Sequence, residues 1–128
     1  MGSVMLLENL QIPLEPVPAS RPRVTRWGVY YGKKYTAFME AFKELVLPIT
    51  QHLGNLWIYA EFVCKRPKKV TRETPVGDID NYAKALLDGL TKQGAWKDDD
   101  QVTLSVFTKR YAEPEETPHI NVLLGSAA

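Results

Sequence analysis

Asp78 and Asp80, one residue apart, open the stretch GDIDNYAKALLDGLTKQGAWKDDDQV at residues 77–102, and Asp98, Asp99 and Asp100 stand near its end. Lys84 follows Asp80 by four residues. Carboxylates held close together repel, and each raises the other's pKa unless a cation compensates. A hard divalent ion such as Mg2+ does so, binding through one or two carboxylates while keeping several waters. An EF-hand loop does not fit, because it needs Asx and Gly where Tyr82 and Ala83 stand. A D-x-D phosphatase nucleophile fails at the same Tyr82, where a small hydroxyl residue belongs. The D-x-D pair alone therefore leaves the reaction open.

The cations fall in runs of their own. Between Pro16 and Met39 stand Arg21, Arg23, Arg26, Lys33 and Lys34 without a single acid, and Lys65, Arg66, Lys68, Lys69 and Arg72 form a second run. The acids collect elsewhere, at 78–80, 98–100 and 113–116, so the net charge of +1 conceals a strong separation. One basic run is ordinarily a solvated loop. Two of them beside an acidic cluster point to a polyanion held against a metal site. Trp27, Tyr30, Tyr31 and Tyr35 interleave with the first run, where an exposed ring can stack on a base. Packing on a hairpin accounts for them equally well.

These groups need a scaffold. Ile79, Tyr82, Ala83, Leu86, Leu87 and Leu90 recur at helical spacing, which predicts an amphipathic helix from Asp80 to Gln93, capped by Asp80 and ended by Gly94. Asp80, Lys84 and Asp88 then share its exposed face, with Lys84 as the i+4 partner of Asp80. Such a helix is roughly 20 Å long. Asp99 can rejoin Asp78 and Asp80 only if residues 94–99 run back almost fully extended. A helix ending near Gly89 would make closure easy; otherwise Asp99 would serve a partner subunit's site.

Around that helix, LLENLQIPLEPVP reads as a first strand stopped by Pro16 and Pro18, and RPRVTRWGVYYGKKYT as a basic hairpin or loop turning at Gly28 or Gly32. TAFMEAFKELVLPITQHLG is predicted as a helix from an N-cap at Thr36 to Gly54, with Pro48 kinking it or ending its first part. NLWIYAEFVCKR is a strand, and VTLSVFTKRYA another, with Val102, Leu104 and Val106 on its buried face. PHINVLLG is the last, paired with its predecessor as a hairpin across EPEETP. The order β-(hairpin)-α-β-α-β-β predicts an α+β (mixed α/β) fold, one mixed sheet with two main helices packed on it.

Length and composition bound the rest. A chain of 128 residues, 45% hydrophobic and 24% charged, suits one ordinary globular domain over 1–128. Residues 1–4 read as a cloning remnant ahead of a natural start at Met5. No apolar run approaches the ~20 residues of a membrane span, and no basic-then-apolar leader opens the chain. Neither a membrane partner nor secretion is expected. The single cysteine, Cys64, excludes an internal disulfide and fits a reducing cytoplasm, where it serves as a buried small hydrophobe.

DIDNYAKALLDGL followed by GAWKDDDQV resembles the RusA family of Holliday junction resolvases. That family's signature is D-x-D-N-x-x-K opening a helix, L-D-x-L within it, and an aromatic turn leading to D-D-x-Q-V. PVPASRPRVTR also matches the family's proline-rich strand end followed by basic residues. The likeness covers nearly the whole chain and is strongest from Lys65 to Val106. It implies a homodimeric, Mg2+-dependent endodeoxyribonuclease, with Mn2+ as an alternative metal and no organic cofactor, that cuts four-way DNA junctions by paired nicks on opposing strands. It implies Asp78, Asp80 and Asp99 as ligands of the catalytic metal and Lys84 as the essential lysine. It further implies a phage or prophage origin and work in the cytoplasm of a bacterial host, in DNA recombination, repair or phage DNA processing.

Physical chemistry leads the same way. A phosphodiester repels hydroxide and gains charge in the transition state; carboxylate-held metal ions neutralise that charge and generate or orient the attacking hydroxide. A lysine one turn away binds the phosphate or stabilises the leaving group, while the two basic runs grip neighbouring phosphates. A C2 dimer suits two coordinated cuts. Its candidate contact surfaces are the Thr36–Leu53 helix and the strand face with Trp57 and Tyr59. The alternative is a non-catalytic branched-DNA binding protein, in which the aspartates only cap and solvate.

Overall fold

Ile120, Val122 and Leu124 are almost fully buried, as are Leu56, Ile58, Ala60 and Phe62, so these two strands must lie inside a sheet rather than at its margin. The computed structural model, which describes residues 4–127, places them there. In chain order the elements are β1 (Val4–Ile12), β2 (Arg23–Thr25), β3 (Gly28–Tyr30), α1 (Lys33–Glu44), β4 (Leu56–Cys64), α2 (Ile79–Gln93), a 3-10 turn (Asp99–Gln101), β5 (Val102–Tyr111) and β6 (His119–Ala127). The main sheet runs β1-β6-β4-β5. β4 and β5 are parallel, whereas β6 is antiparallel to both β1 and β4. β2 and β3 form a separate hairpin, with Gly28 at a φ of 138° that favours glycine. This is the expected α+β architecture. Residues 1–3 of the expected cloning remnant and the side chain of Tyr30 lie outside what is described; Val4 pairs with Ala127 at the end of β1.

Three expectations are corrected. β5 and β6 do not form a hairpin across residues 113–118, because β4 stands between them. A parallel β4–β5 pair needs a long crossover, which α2 supplies, and β6, with Ile120, Val122 and Leu124 buried, takes the inner position instead. The first helix begins at Lys33, with Gly32 as N-cap, and ends at Glu44, short of Gly54. Pro48 and the extended Leu45 bar its continuation, and Gln93 Nε2 donates to the carbonyls of Phe42 (2.7 Å) and Leu45 (2.9 Å), satisfying that helix end from outside.

The third correction concerns which face of β5 is covered. Cross-strand register lines up Ile12, Ile120, Phe62 and Lys109 in one row and Leu10, Val122, Ala60 and Phe107 in the next. These rows meet the helices, and Phe107 packs on Phe62 with ring centroids 6.1 Å apart. Leu104 and Val106, expected to be buried, point to the opposite side and remain 60% and 50% exposed. Helices cover only one face of the sheet, and alternation by itself does not say which.

α1 and α2 touch where Gly89 faces Phe42. A Cβ built on Gly89 would stand 2.7 Å from the Phe42 ring, and Phe42 is fully buried. Gly89→Ala is therefore expected to destabilise the protein by about 1–3 kcal/mol through overpacking. A urea midpoint unchanged from wild type would show that the two helices separate freely. No helix among the described residues is long and apolar enough to cross a membrane.

Candidate active site

Helix α2 begins at Ile79, so Asp78, not Asp80, is its N-cap residue. Asp78 has extended backbone and its carbonyl accepts from the amides of Asn81 (3.0 Å) and Tyr82 (3.3 Å), yet its carboxylate makes no capping hydrogen bond. Helix formation therefore does not consume that side chain. Asp80 lies in the first turn and is exposed, where the positive end of the helix dipole favours a carboxylate.

The helix runs its full length to Gln93 and stops at Gly94, which adopts a left-handed φ of 84°. The chain then doubles back. Ala95 N donates to Leu90 O at 3.0 Å, and the buried Trp96 donates through Nε1 to Thr91 Oγ1 at 2.7 Å, fastening the return onto the last helical turns. Asp98 caps the 3-10 turn by accepting from Asp100 N at 3.0 Å. Gln101 closes it, its Oε1 accepting from Lys97 N while its Nε2 donates to the carbonyls of His52 and Gly54. One of the three clustered aspartates thus has a structural task. Asp99 is left exposed at the front of the turn.

Asp80, Lys84 and Asp99 edge one cleft of about 530 Å3, floored by Ala83, Leu87, Ser105 and Phe107. Residues 94–98 return through a turn and bends rather than the almost fully extended run expected for so long a helix, and Asp99 still borders the cleft beside Asp80 and Lys84. Asp78 is outside that lining. Partial burial, then the Asp98 carboxyl and the charge of Asp88, push the Asp99 carboxyl up from its ordinary value, while Lys84 pulls it down. Lys84 is 66% exposed, and its Nζ stands 3.6 Å from Asp88 Oδ2, so its partner is Asp88 and not the expected Asp80. Tyr35 donates to the same Asp88 oxygen at 3.2 Å. Burial first and Asp88 second push that phenol up to about 12, so it remains a donor at neutral pH. Lys84 also borders a neighbouring cleft of about 610 Å3 between α1 and α2, whose cations include Arg21, Lys43 and Lys92.

The sequence model of the family described as Endodeoxyribonuclease RusA matches residues 13–124. The chain belongs to the RusA family. RusA proteins are endodeoxyribonucleases that bind branched DNA and resolve Holliday junctions by hydrolysing DNA. No curated protein sequence matches the chain.

RusA-family nucleases generally depend on a divalent metal ion. Among the described residues, no three His, Cys, Asp or Glu side chains stand together as a ready-made metal cage. The donor set nevertheless fits a hard cation. Asp80 and Asp99 are carboxylates on the rim of one cleft, and Asp99 is crowded by further acids whose repulsion a cation relieves. Mg2+ needs only one or two such carboxylates, with water and substrate oxygens completing its shell.

The basic residues divide by task. Arg21, Arg23 and Arg26 lie exposed on and before the β2–β3 hairpin, Arg26 with its guanidinium 4.7 Å from the Trp27 ring centre. Lys33 and Lys34 open α1 and are exposed. Lys65, Arg66, Lys68, Lys69 and Arg72 follow β4 on an exposed loop. Arg66 is partly committed, since its Nε donates to Ala112 O at 2.9 Å and its guanidinium lies 5.9 Å from the Tyr111 ring centre. Tyr31 packs edge-on against Tyr35 at 5.9 Å.

Sequence reasoning passed over Lys109 and the hydrogen-bonding roles of Tyr82 and Tyr111. Lys109 Nζ donates to Pro75 O and Gly77 O, Tyr82 Oη to Val76 O, and Tyr111 Oη to Thr74 O. A lysine on the same strand face as Phe107 was the available signal, hidden because the other face had been assigned to the core.

Proposed function

We propose that this RusA-family protein is a Mg2+-dependent, structure-selective nuclease that resolves four-way junctions by paired nicks on opposing strands, working as a C2 homodimer. The observation that carries the reading is the convergence of Asp80, Lys84 and Asp99, from separate stretches of chain, on one cleft. Asp78, Asp80 and Asp99 are assigned to metal binding, and Lys84 to the phosphate or the leaving oxygen. When bound, a magnesium ion supplies charge neutralisation and water activation. The chain's own contribution is to hold the phosphodiester beside these groups, with the two basic runs gripping its neighbours.

A second copy fits the uncovered face of the sheet. There Leu6, Gly125, Trp57 and Leu104 form one cross-strand row and Leu123, Tyr59 and Val106 the next. Leu6, Leu104 and Val106 are exposed, and an isologous contact through such a face matches the two-fold character of a junction.

The deciding experiment incubates a synthetic four-way junction with the protein and Mg2+. Paired nicks near the crossover are expected; binding without any cut would overturn the reading. The DNA-gripping role has its own test. Neutralising Arg21 and Arg23 together should weaken junction affinity and reduce its logarithmic salt slope by roughly 2. An unchanged slope between about 50 and about 200 mM salt would remove both arginines from the DNA surface.

A further inference from the structure

Four consecutive backbone carbonyls, those of Thr74, Pro75, Val76 and Gly77, each accept a hydrogen bond from a side chain on another element. Tyr111 Oη reaches Thr74 O at 2.9 Å, Lys109 Nζ reaches Pro75 O at 2.8 Å and Gly77 O at 2.5 Å, and Tyr82 Oη reaches Val76 O at 2.6 Å. Lys109 and Tyr111 come from β5, Tyr82 from α2. An irregular segment exposes its carbonyls to water by default; this one is pinned at every residue. The next residue is Asp78, and Asp80 follows within one turn.

The backbone at the junction is tightly specified. Gly77 has a φ of 107°, a conformation that favours glycine, and a Cβ there would stand 3.0 Å from the Tyr82 ring and 3.2 Å from Pro18. Lys109 occupies the end of the sheet row that begins at Ile12, facing the helices from within the strand. An ammonium in such a place requires acceptors, and it finds two of the four carbonyls.

We propose that Lys109 is a positioning residue that, aided by Tyr111 and Tyr82, fixes the 74–77 strap and thereby aims Asp78 and the opening turn of α2 at the metal. It touches neither metal nor DNA. The inference rests on the reading that Asp78 and Asp80 hold a divalent ion. Groups that orient ligating carboxylates commonly change metal affinity about 10–100-fold when removed, and fixing the strap in advance spares its ordering cost on binding.

Two readouts test it: Mn2+ binding to the DNA-free protein by calorimetry, and the Mg2+ concentration giving half-maximal single-turnover cleavage. Lys109→Met should shift both about 10–100-fold towards weaker binding, while cleavage at saturating metal and junction affinity fall far less. Tyr111→Phe, which removes one hydroxyl and no core volume, should shift both in the same direction by less. Lys109→Arg, which keeps donors for two carbonyls, should recover part of the loss. A folded Lys109→Met protein with wild-type metal dependence overturns the inference. If Lys109→Met does not fold, wild-type metal dependence in both Tyr111→Phe and Lys109→Arg overturns it. Asp78→Asn and Asp80→Asn are measured alongside: unchanged Mn2+ binding in both sinks the metal-site reading itself, whereas weakened binding there with none in the strap variants sinks only the role of Lys109.

Discussion

Asp80→Asn is expected to abolish junction cleavage, by about 1,000-fold or more, the upper end of what removal of one charge-stabilising group costs, while the protein still folds and still binds. The side chain is exposed in the first turn of α2, so folding loses only the carboxylate's interaction with the helix dipole, about 0.3–1 kcal/mol. Asparagine preserves shape and one acceptor oxygen but lacks the charge that draws a divalent ion. Binding should be retained or improved, because a negative charge facing the phosphates has gone. Single-turnover cleavage and gel-shift titration on the same four-way junction separate the two effects. A wild-type cleavage rate would reduce Asp80 to an ordinary helix-start residue.

Lys84→Ala is the second variant with a large expected effect. Lys84 sits on the ridge shared by both clefts and pairs at 3.6 Å with Asp88. An exposed i,i+4 pair of this kind contributes only ~0.3–0.5 kcal/mol to stability, so a purely structural lysine would make the substitution nearly silent. A cation that stabilises charge in the transition state is worth about 100-fold or more in rate. We expect Lys84→Ala to fold, to bind junctions and to lose nearly all cleavage. Lys84→Arg keeps the charge but exchanges a compact ammonium for a planar fork. It should also be impaired where the fit is tight, the more so because Tyr35 already holds the Asp88 oxygen that Lys84 faces. Single-turnover rates within a few-fold of wild type for Lys84→Ala would return the residue to a surface role.

The site was legible as a set of residue types before it was legible as a place. The D-x-D-N opening of a helix, the lysine four residues on and the later D-D-x-Q-V identify a nuclease family from sequence alone, and the family match over residues 13–124 agrees. Helix α2 was equally readable, since its 3.6-residue periodicity and Gly94 are local signals. Of the acidic cluster, only the folded turn assigns Asp98 to capping and leaves Asp99 facing the cleft. The partner of Lys84 was misjudged because Asp80 and Asp88 stand equally far from it in sequence, and side-chain direction on the helix, together with Tyr35 from α1, decided for Asp88.

What the sequence determined by itself is therefore what short-range forces control: the long second helix and its stop, the main strands as strands, and the chemical identity of the clustered acidic and basic groups. The tertiary structure alone decided strand order, the covered face of β5, and the strap held by Lys109, Tyr82 and Tyr111. Each of these depends on pairing between segments far apart in the chain. A period of two reads the same for either face of a strand, and the inner places of β6 and β4 bury Ile120, Val122 and Leu124 together with Leu56, Ile58, Ala60 and Phe62 at the centre of the sheet.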